Sequence, residues 1–306
     1  MQYKTLYENH AYYPDRIDAL IDYLTPISKT NGKQLLHKFR YARYSNSEDA
    51  LTWSCFDALR MQSFEKRVRA LNEIMRDSFE NNNKSLMNSF NVNEEIYIHI
   101  GKNYSTNTNE TTEVDVSFES GNKLVFIEAK LYSKISLPSE TTPYDQIIRK
   151  LRIGLDVAKR ENKQFFFIFL DIAPEDKILN YGEEKAVSAQ YFKQYKNFEH
   201  YKDDSETFAE MLIPNTFESI EKVSENMGWL TWASLFKIVL RSIINDTKTT
   251  KTQKELDTDV TILKINTVQN VLLSKVLDSD IITDETFSRR FRILALSKLT
   301  GLIGRL

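Results

Sequence analysis

The sequence predicts an α/β fold, a small mixed β-sheet flanked by helices with a mainly helical C-terminal region, on three observations. Two runs of alternating character, within residues 113–130 (EVDVSFESGNKLVFIEAK), flank Gly121-Asn122, a favoured pair for a two-residue hairpin turn. The second run is followed by a helical pattern and then by the continuous apolar run QFFFIFLD at 164–171, the spacing of a βαβ crossover. Leu124–Lys130 and Phe165–Leu170 are therefore expected to be parallel neighbours. From about residue 180 onward the apolar periodicity is almost entirely helical. The expected division is 1–180 for the α/β core with its N-terminal helices and 181–306 for a helical extension or second domain.

Taken in order, Pro14-Asp15 opens an amphipathic helix with Ile17, Leu20, Ile21 and Leu24 on one stripe. Tyr23 to Ser47 contains no acidic residue and carries Lys29, Lys33, Lys38, Arg40 and Arg43 among Phe39, Tyr41 and Tyr44. Such a segment can hold a phosphate backbone and stack on a base; a solvated helix face with core aromatics is the competing reading. Ser47 is placed to cap a helix, or two helices, between 47 and 80, with Glu48 and Asp49 suiting its dipole. Residues 95–101 (EIYIHIG) alternate as a strand with His99 on the polar side, where a structural role is the simplest one. Residues 105–112 are polar loop, and 131–143 hold two prolines and form a second loop. Ile147, Ile148, Leu151, Leu155 and Ala158 then mark the crossover helix. Helices are expected across 217–244, 258–278 and 284–304.

Composition removes several classes of function. With 306 residues, 41% of them hydrophobic, the chain can bury a substantial core. A formal net charge of −2 confines any nucleic-acid site to a local basic patch. The single cysteine, Cys55, lies in an apolar helical pattern and excludes a disulfide framework or a thiol-rich zinc site. The N-terminal residues MQYKTLYENH lack the apolar core of a signal peptide, and the longest apolar run is too short to span a bilayer. A cytoplasmic protein with no membrane partner is expected. Eight glycines form no phosphate-cradling loop, and four dispersed histidines form no zinc-protease pair.

The chemistry converges on the hairpin. With Gly121 and Asn122 as the turn, Phe118 faces Val125, Val116 faces Ile127 and Val114 faces Ala129, one wholly apolar side. The other side sets Asp115 opposite Glu128, with Lys130 two residues further along the same strand face. Directly opposed residues have Cβ atoms about 4.5–5.5 Å apart, and like charges there are destabilising. A divalent cation between them would supply the compensation. Two carboxylates with a backbone carbonyl, that of Ala129, are hard ligands suited to Mg²⁺. Lys130 would point at the same place and steady an attacking water or a developing negative charge. The alternative pairs Lys130 with Glu113, its cross-strand partner, which leaves Asp115 against Glu128 unexplained.

Over about residues 45–173 the order helix, strand, Asp-bearing strand, Glu-Ala-Lys strand, helix, strand resembles the PD-(D/E)xK, or restriction endonuclease-like, nuclease superfamily. The resemblance implies a restriction endonuclease-like core in which Asp115 and Glu128 bind Mg²⁺, Mn²⁺ being able to substitute, and Lys130 assists the water. It implies a further glutamate from the preceding helix, Glu48 or failing that Glu65, and a glutamine in the helix after the Lys strand, matched by Gln146. Val114 stands where the family name has proline. The expected activity is Mg²⁺-dependent hydrolysis of DNA phosphodiester bonds leaving a 5′-phosphate, by an endonuclease of defence or repair. Lys38, Arg40, Arg43, Arg149 and Arg152 are candidate phosphate contacts, and a homodimer through the C-terminal helices would suit cleavage of both strands. Two rival readings stand beside it: a catalytically silent nuclease-fold module binding nucleic acid or protein, and a helical protein–protein scaffold with a passive α/β core.

Overall fold

In the computed structural model, residues 10, 14–27, 32, 36–42, 44, 47–79, 90–131, 133–140, 143–171, 192–197, 210–216 and 218–244 are described. The helices expected at 258–278 and 284–304, and with them most of the C-terminal region expected to form a homodimer, lie outside the described residues, as does Arg43. The chain divides into two compact units, residues 1–62 with 232–306, and residues 63–231.

The first unit holds α1 (Ile17–Leu24), α2 (His37–Tyr41) and α3 (Glu48–Arg60), and, from the far end of the chain, the helix Trp232–Ile244. The Ser47 hydroxyl caps α3 by accepting the Ala50 N–H at 3.2 Å, as its place before two acidic residues predicts. From Ala50 to Leu59 the helix is buried on every side, with Cys55 inside. It packs against Trp232–Ile244, and its one buried carboxylate, Asp57, is compensated by Arg16 at 3.0 Å and Arg60 at 3.3 Å.

The second unit is α/β. It contains α4 (Phe64–Ser78), β1 (Tyr97–Ser105), β2 (Thr111–Glu119), β3 (Lys123–Ala129), α5 (Gln146–Glu161), β4 (Gln164–Asp171), α6 (Ile220–Glu225) and β5 (Met227–Thr231); the first unit's last helix is accordingly α7. The strands form a five-stranded mixed sheet in the order β1-β2-β3-β4-β5. The first three are antiparallel neighbours, and β3, β4 and β5 run parallel. The hairpin turns at Gly121-Asn122, where the Ser120 N–H donates to the Lys123 carbonyl at 3.0 Å. The register is the expected one at Phe118↔Val125 and Val116↔Ile127, and β3 lies parallel beside β4 through α5.

Two local expectations are corrected. Met227–Thr231 is a strand parallel to β4, inside a stretch whose periodicity reads as helix. Five residues are too few to show a period of their own, and the parallel partner that recruits them is more than fifty positions away in sequence. The β2–β3 ladder runs from Glu119↔Leu124 only as far as Val116↔Ile127. Beyond it the expected pairs Asp115↔Glu128 and Val114↔Ala129 are not part of the ladder, although β2 keeps its alternation there, with Thr112, Val114 and Val116 buried.

Aromatic rings fill the layer between sheet and α5. Phe126 packs on Tyr104 at 4.6 Å and edge-on to Phe165 at 5.1 Å, and Phe169 lies between Phe192 at 4.8 Å and Trp229 at 5.2 Å. Gly154 lets α5 press onto this layer, because a Cβ at that position would overlap the Phe165 ring. Gly154→Ala is expected to cost about 1–3 kcal/mol, since a packed ring has no free space to yield. Urea unfolding with an unchanged m-value would measure it.

Candidate metal and phosphate site

The end of β3 carries Glu128, Ala129 and Lys130, and the site is built from them. Glu128 is on the α5 face of the sheet, paired in register with Phe169, and is fully buried. A buried carboxylate must be compensated, because its desolvation is otherwise prohibitive. Compensation comes from two lysines. Lys130, whose own N–H continues the parallel ladder to the Leu170 carbonyl at 2.8 Å, places its ammonium 2.7 Å from Glu128 Oε1. Oε1 is thus held in an ion pair with Lys130. On the other oxygen, Oε2, the ammonium of Lys150 donates from α5.

Asp115 is the first residue of β2 beyond the β2–β3 ladder, and its side chain takes over where that backbone pairing ends. Its Oδ2 accepts the Ala129 N–H at 2.8 Å, and its Oδ1 lies 3.7 Å from the same Lys150 ammonium. The two carboxylates thus meet at one ammonium, although the β2–β3 ladder stops short of an Asp115↔Glu128 pair. Their mutual repulsion, which on sequence grounds called for a divalent cation, is offset here by Lys150 and Lys130. The Asp115 side chain is 31% exposed, so solvent reaches the site from its side while Glu128 is sealed. Among the described residues no group of three or more His, Cys, Asp or Glu side chains gathers to hold a metal ion. Of the ligands expected for a cation, the two carboxylates are the ones that meet here.

The other expected residues are placed as follows. Gln146 begins α5 and is clipped to the preceding loop: its N–H donates to the Ser136 carbonyl at 2.9 Å, and its Oε1 accepts the Ser136 N–H at 3.1 Å. Glu48 is half-buried in the first turn of α3 and belongs to the first unit, and Glu65 is exposed at the start of α4. Arg152 is occupied structurally. Its guanidinium forks onto Glu110 at 2.6 and 3.1 Å, donates to the Met211 carbonyl and lies 4.4 Å over the Tyr144 ring. Burial lowers its pKa, and the Glu110 carboxylate more than restores it. Lys38 is likewise engaged, 4.2 Å over the Tyr23 ring and 3.6 Å from Asp49, with 5% of its surface exposed. Arg40 is exposed and Arg149 half-buried.

Sequence reasoning missed Lys150 and Asp145. Asp145 fixes the start of α5 by accepting the Ile147 and Ile148 N–H groups at 2.8 and 2.9 Å, and the Tyr195 hydroxyl donates to its other oxygen. For Lys150 a signal existed: it stands three residues from both Ile147 and Ile153, in the middle of a buried helix face. A second polar cluster lies toward the hairpin turn, where Glu119 gathers Lys102, Tyr104 and His99. Burial raises the Glu119 pKa, but the Lys102 ammonium and Tyr104 hydroxyl bonded to it bring the carboxyl below its ordinary value. Burial and the same carboxylate push the Tyr104 phenol strongly upward. These groups satisfy one another.

No family model matches this sequence, and neither any curated protein nor any solved structure does. Among the described residues no helix is long and apolar enough to cross a membrane.

Proposed function

We propose that the α/β unit is a restriction endonuclease-like core of the PD-(D/E)xK kind and that the protein is a Mg²⁺-dependent nuclease hydrolysing DNA phosphodiester bonds. The reading rests above all on one observation: Asp115 and Glu128, from adjacent strands, converge on a single ammonium at the end of β3, beside Lys130. The donor set fits a hard cation. Its acidic ligands are oxygens of two carboxylates, one of them partly open to solvent. Asp115, Glu128 and the Ala129 carbonyl would hold the ion, with waters completing its shell. When bound, Mg²⁺ supplies charge that polarises a phosphoryl oxygen and acidifies a coordinated water.

The chain's own contribution is positioning and charge. The Ala129 N–H and the end of the β2–β3 ladder hold the Asp115 carboxylate in one orientation. Phe169 and the aromatic layer exclude water from Glu128. Lys130, tethered to the ladder through its N–H, presents a fixed positive group to the negative charge that develops on the phosphate. The four side chains carry no formal net charge between them, so a bound divalent ion leaves a positive site that favours a phosphodiester. Gln146 orders the loop at the start of α5, and Arg40 and Arg149 remain candidate phosphate contacts.

The test is cleavage of linear and circular DNA with MgCl₂ by wild-type protein and by Asp115→Asn and Glu128→Gln. Losses of about a thousandfold or more are expected in both variants, in line with removal of a major electrostatic contributor. Cleavage that persists unchanged in either variant would falsify the assignment. The silent nuclease-fold module remains a second reading because Lys150 already compensates the carboxylate pair. In that case neither Mg²⁺ nor Mn²⁺ binds at Asp115 and Glu128 in a calorimeter, and DNA is bound without turnover.

A further inference from the structure

Lys150 has 1% of its surface exposed, on a helix pressed against the sheet at Gly154. A lysine is retained in such a place only with a strong counter-charge, because burying an unpaired ammonium costs several kcal/mol. Its partners are Glu128 Oε2 and Asp115 Oδ1. These belong to the same two carboxylates that the metal-dependent reading assigns to the cation. Mg²⁺ holds its oxygen ligands at about 2.0–2.1 Å in near-octahedral geometry. An ammonium set between the two carboxylates occupies the space where an ion shared by them would sit.

We propose that Lys150 is a resident counter-cation of this site and that a divalent ion binds by displacing it; the inference rests on the metal-dependent reading above. In the absence of metal Lys150 keeps Asp115 and Glu128 together and the fold intact. When the ion enters, the ammonium gives up both carboxylates. Tethered to α5 by its flexible stem, it adds to the positive field around the bound phosphate. Lys150 is in this sense a positioning residue for the ligand pair, and its presence lowers the apparent affinity for metal.

The experiment is isothermal calorimetry of the full chain with MnCl₂, alongside thermal unfolding with and without Mn²⁺, for wild type, Lys150→Met and Lys150→Gln. The glutamine variant keeps a hydrogen-bond donor toward Glu128 and covers the case in which Lys150→Met does not fold. Both variants are expected to be less stable without metal and to bind Mn²⁺ about tenfold more tightly or better, because the ion relieves an uncompensated carboxylate pair. Mn²⁺ should then raise their melting temperature more than that of wild type, by mass action. A purely structural lysine would lower stability without tightening metal binding. Equal or weaker Mn²⁺ affinity in the variants, with binding still abolished by Asp115→Asn, overturns the displacement and leaves the metal reading standing. Absence of saturable Mn²⁺ binding in wild type and variants alike overturns both.

Discussion

Glu128→Ala is expected to destabilise the protein by about 3–5 kcal/mol, quite apart from any effect on cleavage, because it breaks a buried ion pair from one side. Glu128 has no exposed surface, and Lys150, at 1%, would lose its principal counter-charge in an apolar layer of aliphatic and aromatic side chains. The remaining carboxylate, Asp115, is 3.7 Å from that ammonium and partly solvated, a weaker partner. Replacing both members, as Glu128→Leu with Lys150→Met, should recover much of the loss, since apolar residues of similar volume remove the desolvation cost with the charges. Equilibrium urea unfolding of the single and double variants measures the coupling. A single variant within about 1 kcal/mol of wild type would mean that the pair is not buried as described. For cleavage assays, Glu128→Gln and Asp115→Asn are accordingly the cleaner substitutions.

Phe169→Ala should cost a comparable amount, about 3–5 kcal/mol, the usual range for truncating a buried phenylalanine. Phe169 is fully buried between Phe192 and Trp229 and is the cross-strand partner of Glu128. The cavity left behind would therefore open next to a buried carboxylate. Part of the loss should appear as water entering the site. Phe169→Leu, which keeps most of the volume, should show a smaller loss in the same urea experiment. If the two substitutions cost the same, the ring does not fill the space between Phe192 and Trp229.

Both effects depend on side chains whose importance was unequally visible. Glu128 was legible because a strand has a period of two residues. Once Gly121-Asn122 was the turn, Asp115 had to arrive beside Glu128, and Lys130 had to share its face. The crossover was legible for a similar reason: a strand, a helix and an apolar strand at that spacing join as parallel neighbours. The place of Lys150 in the site was not legible. Its position on the buried face of α5 was visible, but its partner is set by how far the helix sinks onto β4, which depends on Gly154 meeting Phe165.

The sequence alone therefore determined the hairpin, its register at Phe118↔Val125 and Val116↔Ile127, and the parallel β3–β4 pair. These follow from local periodicity, turn chemistry and connection length. Only the tertiary structure decided that β5 joins the sheet from Met227–Thr231, that Arg152 and Lys38 are held by acidic and aromatic neighbours, and that Lys150 stands between the two carboxylates. Each of these depends on contacts between residues distant in sequence or on the depth of packing, and neither leaves a period in the chain.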